Sequence, residues 1–449
     1  MSLEKIDKVY FIGVGGIGMS ALARYFNSIG KEVSGYDKAE TILTNQLDKE
    51  GVNVHYTDSP SLIPSDIDLV VYTPAVPSDL KEYKHCWEKG YVMKKRSEVL
   101  GIITNDSFTL AVAGTHGKTT TSSILAHLLK QSIGCNAFLG GITKNYNSNI
   151  LLTKNAENTV VEADEYDRSF LELHPNMAII TSMDADHLDI YGDHSKLLES
   201  FELFSNQISP GGSLILNKQL ENKLTPKCDV ITYSISEKAD YYLENIKVVD
   251  GYYVFSVQAQ SGLISDIKFG LPGRHNVENA IAAIAVADQL KVSHQEIKSA
   301  LESFKGIKRR FEYIIKKHDL VYIDDYAHHP EELKATISSV KELYPENKIT
   351  GVFQPHLYSR TKDFADDFAK SLDLLNELIL LDIYPAREQP IEGITSEMLL
   401  RKVTIKNKSI STKAELVPEL RQRKLEVLLT MGAGDIDKLV EPIKNELLN

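Results

Sequence analysis

A chain of 449 residues is too long for a single hydrophobic core and calls for about three domains. Its hydrophobic fraction of 43% and charged fraction of 25% are those of an ordinary soluble protein. A formal charge of −12 and a pI near 5.6 argue against nucleic acid or an anionic membrane as the main partner, because both attract clustered Lys and Arg.

No secretory signal order stands at the N-terminus, and no apolar run approaches the ~20 residues that span a bilayer, so a cytoplasmic protein is expected. Cys86, Cys135 and Cys228 are few, far apart and odd in number. They fit isolated core residues better than a disulfide framework or a cysteine zinc site.

The first domain runs to about Asp106. Val9 to Ile12 is an apolar strand, and Gly13-Val14-Gly15-Gly16-Ile17-Gly18 follows it into a helical pattern that Gly30 ends. A second strand reaches Asp37, about where a dinucleotide fold places a ribose-binding carboxylate. A further strand, Asp68 to Tyr72, leads to Thr73-Pro74-Ala75-Val76-Pro77, and ligands of such sheets bind where strands end. The glycines test for a diphosphate. They leave open a nicotinamide dinucleotide, a nucleotide sugar, or a turn needed only for close helix packing.

The second domain, roughly 107–306, opens on TLAVAGTHGKTTTSSILAHLLK. An apolar strand enters a loop, Gly114-Thr115-His116-Gly117, and Lys118, Thr119 and Thr120 begin a helix. Two residues separate the glycines rather than the four of the usual phosphate loop. The parts needed for a triphosphate cradle are nevertheless in order: inward N–H groups, a helix N-terminus, a lysine charge and a hydroxyl able to ligate Mg²⁺. Downstream, Thr159-Val160-Val161 ends in Glu162-Ala163-Asp164-Glu165, where a carboxylate ligand for Mg²⁺ is wanted, and Glu162 is closest to the strand. Asp184-Ala185-Asp186-His187-Leu188-Asp189 follows another strand; it reads either as a solvated acidic loop or as a site for a cation, Mg²⁺ before Zn²⁺. The tyrosines between about Ser213 and Phe269 read as packing. In PGRHNVENA, Asn276 and Asn279 share a helix face, which suits either plain N-capping or amides that read an adenine edge.

The last domain, roughly 307–449, starts with Lys308-Arg309-Arg310, either a solvated hinge or a cation for a phosphoryl-transfer site. Strand ends then carry Asp324-Asp325-Tyr326-Ala327-His328-His329 and Gln354-Pro355-His356-Leu357-Tyr358-Ser359-Arg360. Arg360 suits a bidentate grip on a small carboxylate, or a helix-surface salt bridge. The alternation of strands and helices makes this a second nucleotide-like α/β domain.

Taken in order, FIGVGGIGMSALA, GTHGKTTT, VEADEYDRSFL, MDADHLDIYGD, PGRHNVENA, RRFE, DDYAHHPEELKAT and QPHLYSRT span nearly the whole chain, and the set resembles the Mur ligases. That resemblance implies a three-domain α/β protein: a Rossmann-like UDP-sugar domain (1–106), a central P-loop ATPase-like domain (107–306) and a Rossmann-like C-terminal domain with the amino-acid site (307–449). It implies that Gly13, Gly15, Gly16, Ile17, Gly18, Asp37, Thr73 and Ala75 serve the UDP-sugar, and that Gly114 to Thr120, His275, Asn276, Asn279, Arg310 and Asp325 serve ATP. It further implies Thr119, Glu162 and His187 as ligands of Mg²⁺, two ions being expected, and Tyr326, His328 and Arg360 as the L-alanine site. Lys118, Glu162, His187 and His328 form the expected catalytic set. Two departures stand out: no lysine after His187 matches the modified lysine of sister ligases, Lys196 being too early, and Tyr166 stands where many relatives have serine.

The implied reaction is ATP-dependent ligation of L-alanine to the lactyl carboxylate of UDP-N-acetylmuramate through an acyl phosphate, in peptidoglycan precursor synthesis, by a monomer or homodimer. A ligase that reattaches a recycled cell-wall peptide to the same sugar is the near alternative. An NAD-dependent oxidoreductase is the distant one, and it leaves Lys118, Glu162 and His187 idle.

Overall fold

The computed structural model describes residues 3–184, 188–249, 252–386 and 388–448. Apolar runs bounded by glycine turns become parallel strands covered on both faces, as continuous rather than alternating hydrophobicity requires. The first sheet contains β1 (Lys8–Ile12), β2 (Glu32–Tyr36), β3 (Asn53–His55), β4 (Leu69–Tyr72) and β5 (Met93–Lys95) in the order β3-β2-β1-β4-β5, all parallel. Its order reverses beside β1, so the glycine turn after Ile12 and the Thr73 turn after β4 open at the same crevice.

Ten strands form the second sheet: β6 (Phe108–Ala113), β7 (Asn136–Thr143), β8 (Ser148–Leu151), β9 (Asn158–Glu162), β10 (Met177–Ile180), β11 (Ser213–Asn217), β12 (Asp229–Ser234), β13 (Tyr241–Val249), β14 (Tyr252–Ala259) and β15 (Gly262–Phe269). Their order is β15-β14-β13-β12-β11-β10-β6-β9-β7-β8. β6 therefore has β10 on one side and β9 on the other, both parallel to it, which puts the residues after all three at one edge. The third sheet joins β16 (Glu312–Lys316), β17 (Val321–Asp325), β18 (Ile349–Phe353), β19 (Glu377–Leu380), β20 (Lys408–Ile410) and β21 (Val427–Met431) in the order β16-β17-β21-β18-β19-β20, with only β16 antiparallel to its neighbour.

The three sheets give the three-domain α/β architecture that the sequence implies. The chain forms two compact units, one of Met1–Asn245, Phe255–Ile267 and Glu278–Ser303, the other of Ile246–Val254, Lys268–Val277 and Phe304–Asn449. In the first unit a single apolar cluster runs from Ile6, Phe11 and Phe26 through Leu100 to Phe138, Phe170 and Phe204, so the first sheet and the second share a core. Gly101 marks the closeness of that packing, since a Cβ there would lie 2.4 Å from the Glu172 carbonyl oxygen. In the second unit the core gathers around Tyr322, Val352, Ile379 and Leu428. Tyr241 and Tyr253 are fully buried, whereas Tyr242 and Tyr252 are only partly so. Cys86 and Cys135 are buried and Cys228 partly buried; burial pushes the first two thiols up to about 12, which makes them inert. Among the described residues no helix is long and apolar enough to cross a membrane.

His127, on the helix Lys118–Gln131, is buried in the first unit between the Tyr146 hydroxyl (2.8 Å) and the Ser303 hydroxyl (3.0 Å). Burial lowers its pKa to about 4. The folded unit thus resists a proton that the unfolded chain accepts, and stability is full above pH 6.5 and lost as the pH falls toward 4. Urea unfolding at pH 7 and pH 5 should show a loss that is smaller by about 2 kcal/mol in His127→Gln, which keeps polar partners without titrating. An equal loss in both proteins would contradict this.

Candidate functional site

β6 delivers the chain to Gly114, whose φ of 135° and neighbour Thr181, with Oγ1 only 2.1 Å from where a Cβ would stand, admit no side chain. Gly117 (φ 81°) then starts the helix Lys118–Gln131. The loop between them is stapled to the residues after β10. Thr181 Oγ1 donates to the His116 carbonyl (2.5 Å), the His116 N–H to Ser182 Oγ (2.8 Å), the Thr115 N–H to the Ser182 carbonyl (3.1 Å), and the Asp184 N–H to Thr115 Oγ1 (3.0 Å). With its shape held from outside, the loop leaves the first-turn N–H groups of a 14-residue helix for an anion. Thr119 and Thr120 are buried in that turn, and Asn279 lies against the loop, its Oδ1 2.7 Å from a Cβ built on Gly117.

Lys118 points back over the loop. Its Nζ donates to the Gly114 carbonyl (2.7 Å) and meets both Glu165 oxygens, at 2.9 and 2.8 Å. Burial alone would lower the ammonium's pKa; Glu165, helped by Asp164 and Glu162, outweighs it, so the group is held charged, above its ordinary value. Glu165 is fully buried, and its backbone carbonyl accepts from the Tyr191 hydroxyl (2.5 Å). Beside it, Glu162 at the end of β9 accepts from Thr119 Oγ1 (2.9 Å), the Gly140 N–H (2.9 Å) and Ser122 Oγ (3.4 Å). Burial raises the Glu162 carboxyl above its usual range while Lys118 opposes the rise. A carboxylate and a threonine hydroxyl in contact at a phosphate loop are the all-oxygen donor pair that a hard divalent cation takes, so the residues present fit Mg²⁺. Asp184, exposed, comes within 3.8 Å of His116 Nε2; Asp186 and His187 lie outside the described residues.

The glycine turn after β1 is a second such cradle. Gly13 has φ 87° and packs its α-carbon face toward Thr73 and Val76, and the Gly15 N–H donates to Asp37 Oδ2 (2.7 Å). Asp37 therefore braces the turn, and a Cβ on Gly15 would stand 2.8 Å from its carboxylate. Gly16 caps the helix Ile17–Ser28, Thr73 Oγ1 accepts from the Ala75 N–H (3.4 Å), and Gly18 faces the Arg96 side chain. Beside this turn lies a cavity of about 190 Å³, lined by Ile17, Gly18 and Arg96 and by Gly140, Glu162 and Asp164; it reaches the phosphate loop only through Glu162, which Thr119 contacts.

In the second unit Asp325 ends β17 and accepts from the N–H groups of Phe311 (2.6 Å) and Ala327 (2.7 Å). Burial lifts its carboxyl to about 6 against the pull of Arg310. The guanidinium groups of Arg309 and Arg310 lie 5.2 and 5.0 Å from the centre of the Tyr326 ring, so the basic cluster is packed on an aromatic face. Arg309 is tied to Asp324 (3.3 Å) and to the Gly432 carbonyl (2.6 Å). The adjacent histidines divide: His329 caps the helix Pro330–Leu343, while His328 contacts Glu332 (3.2 Å) and faces His356, ring centres 5.9 Å apart. His356 is held neutral, near 4, by burial and then by the charges of His328 and Arg360. Arg360 is half-buried on the short helix Tyr358–Asp363, entered through Leu357 at φ 71°, a strained position. His275, partly buried on the helix Arg274–Gln289, is lowered to about 4 by burial. Asn276 and Asn279 sit inside that helix, so neither is its N-cap, and Asn276 Nδ2 donates to the Pro272 carbonyl (2.5 Å).

Sequence reasoning missed Glu165, choosing instead the acid nearest the strand end; only burial separates it from Asp164, and no spacing rule reports that. Thr181 and Ser182 were likewise missed, because a polar pair after a strand resembles any turn.

Three family models match the chain in succession: the Mur ligase family catalytic domain over residues 8–108, the Mur ligase middle domain over 112–287, and the Mur ligase glutamate ligase domain over 309–434. A UDP-N-acetylmuramate–L-alanine ligase of Flavobacterium psychrophilum is 53% identical across all of this chain and 99% of its own length. One of Parabacteroides distasonis is 52% identical, across all of this chain and 98% of its own. A solved UDP-N-acetylmuramate-alanine ligase of Thermotoga maritima superposes with a TM-score of 0.81 at 30% identity, over 98% of this chain and 99% of that one. A murein peptide ligase of Psychrobacter arcticus shares the fold, with a TM-score of 0.73 at 23% identity over 98% and 99%. Three family models in succession and relatives matched from end to end lead to one conclusion: the chain belongs to the Mur ligase family.

Proposed function

We propose that this chain joins L-alanine to the lactyl carboxylate of UDP-N-acetylmuramate, releasing ADP and phosphate, as a step in peptidoglycan precursor synthesis. It is an ATP-dependent, amide-forming ligase. The observation that carries the reading is end-to-end identity of about half with ligases of that name. The peptide-reattaching alternative has weaker support, since two solved ligases of that kind are 23% and 25% identical. A nicotinamide oxidoreductase is not supported: the glycine turn that suggested it belongs to a chain whose relatives are ligases throughout.

A carboxylate is a poor electrophile, because an amine cannot expel oxide from it. Transfer of the ATP γ-phosphoryl group to that carboxylate makes a good leaving group, and the amine of L-alanine then displaces phosphate. We assign Gly114 to Thr120 to the triphosphate, with Lys118 neutralising charge that builds on the transferring oxygens. Thr119 and Glu162 would hold Mg²⁺, which supplies further neutralisation of the phosphates when bound. Gly13, Gly15 to Gly18, Asp37, Thr73 and Ala75 are assigned to the UDP-sugar. The cavity beside Gly18 and Glu162 is where its acid end would meet the γ-phosphate, and water has to be kept from the acyl phosphate formed there. His275, Asn276, Asn279, Arg310 and Asp325 are assigned to the nucleotide, and Tyr326, His328 and Arg360 to L-alanine. We place the enzyme in the cytoplasm, as a monomer or homodimer, where its nucleotide substrates are made.

Phosphate release from ATP should require UDP-N-acetylmuramate and rise on addition of L-alanine; release indifferent to the sugar would sink the reading. Lys118→Ala should abolish turnover and, by leaving Glu165 buried without its cation, destabilise the protein by about 3–5 kcal/mol. Lys118→Met combined with Glu165→Gln should recover most of the lost thermal stability and none of the turnover, a split that calorimetry beside a phosphate assay would expose. Gly140→Ala, whose Cβ would lie 2.3 Å from Glu162 Oε1, should raise the Mg²⁺ concentration needed for half-maximal rate by about 10–100-fold. An unchanged Mg²⁺ titration would remove Glu162 from the metal site.

A further inference from the structure

The hairpin of β7 and β8 touches both walls of the cavity. On β7 the Gly140 N–H holds Glu162 at 2.9 Å. On β8 Asn149 is fully buried, and its Nδ2 donates to the Ile17 carbonyl (2.5 Å) and to Ser20 Oγ (3.0 Å), in the first turn of the helix that follows the glycine cradle. The strands pair Ala137 with Leu151 and Phe138 with Ile150, and then, across a register shift, Thr143 with Ser148, so Gly140 and Asn149 both lie in the irregular stretch of one hairpin between these pairs.

The amide's direction is set from behind. Arg24 Nη1 donates to Asn149 Oδ1 (2.5 Å), which turns Nδ2 toward the helix. Arg24, 8% exposed, is fixed in turn by Glu50 through Nε (2.6 Å) and Nη2 (3.1 Å). Apolar contact already joins these layers, the Tyr25 and Phe138 rings lying 5.6 Å apart, and burying an arginine is costly unless every donor is matched. Apolar packing tolerates sliding; a matched hydrogen-bond network does not.

We infer that Asn149, oriented by Arg24, is a positioning residue: it sets the separation between the glycine-turn helix and the Glu162 wall, and so the approach of the sugar's carboxylate to the γ-phosphate. The inference rests on seating the UDP-sugar at Gly13 to Gly18 and the nucleotide at Gly114 to Thr120. Misplacement by about 1 Å costs on the order of 100-fold in rate without weakening either binding site.

The test uses the full-length enzyme with UDP-N-acetylmuramate, ATP and L-alanine, rates being normalised to the folded fraction. Asn149→Ser shortens the amide's reach, and Arg24→Met with Asn149→Leu replaces the network by apolar groups, which guards against a variant that merely fails to fold. Both should lower kcat by about 100-fold while KM for UDP-N-acetylmuramate and for ATP stays within about threefold. A kcat per folded molecule within twofold of the unaltered enzyme would overturn the inference, as would a raised KM with kcat intact. Gly15→Val tests the seating separately by calorimetric titration of UDP-N-acetylmuramate: lost affinity supports it, whereas retained affinity overturns the seating and with it the role of Asn149.

Discussion

Lys118 and Glu165 form the contact on which the central site depends. A lysine that enters a protein without a partner gives up its proton, and a carboxylate that enters alone takes one. Paired within 3 Å of Glu165 over the Gly114 carbonyl, the ammonium stays charged, and on the proposed seating of the nucleotide it faces the phosphate oxygens. Such a pair adds little net stability compared with apolar residues of the same size. On the proposed assignment its value is electrostatic preorganisation: the charge that the reaction would need is already in place and already desolvated.

Around that pair, the backbone does most of the work of shaping. Three neighbouring parallel strands end together, and each contributes one kind of group: β6 the loop, β9 the carboxylates, β10 the hydroxyls that staple the loop. Glycine is required where these pieces approach most closely, at Gly114 under Thr181 and at Gly140 over Glu162. The same logic operates at the first cradle, where Asp37 holds the Gly15 N–H. Both glycine turns are in one unit and share one apolar core, and the cavity beside the first has Gly18 and Glu162 among its lining.

The second unit manages charge by a different route. Arginine is stacked on Tyr326, Asp325 is ringed by backbone donors, and His356 is kept neutral by burial beside His328 and Arg360. A neutral imidazole accepts or donates a hydrogen bond without repelling an ammonium, which suits the amino-acid site proposed for this unit. Strain at Leu357 is consistent with a turn shaped for its contents rather than for stability.

Local order along the chain determined a good deal. Glycine, lysine and threonine in sequence after an apolar strand point to a phosphate loop, since that order presents N–H groups, a cation and a hydroxyl to one point, whereas the glycines of the Gly13 to Gly18 turn alone left its ligand open. Alternation of strands and helices likewise dictates parallel sheets. What tertiary structure alone decided are matters of burial and long-range approach. Glu165 rather than its neighbours meets Lys118; Asn276 and Asn279 lie within a helix rather than capping it; Asp37 braces its turn; and Arg24 reaches Asn149, 125 positions away. Spacing rules read neighbours within a turn or two of chain, whereas the dielectric around a carboxylate and the partner of a buried arginine are set by whichever distant segment packs against them.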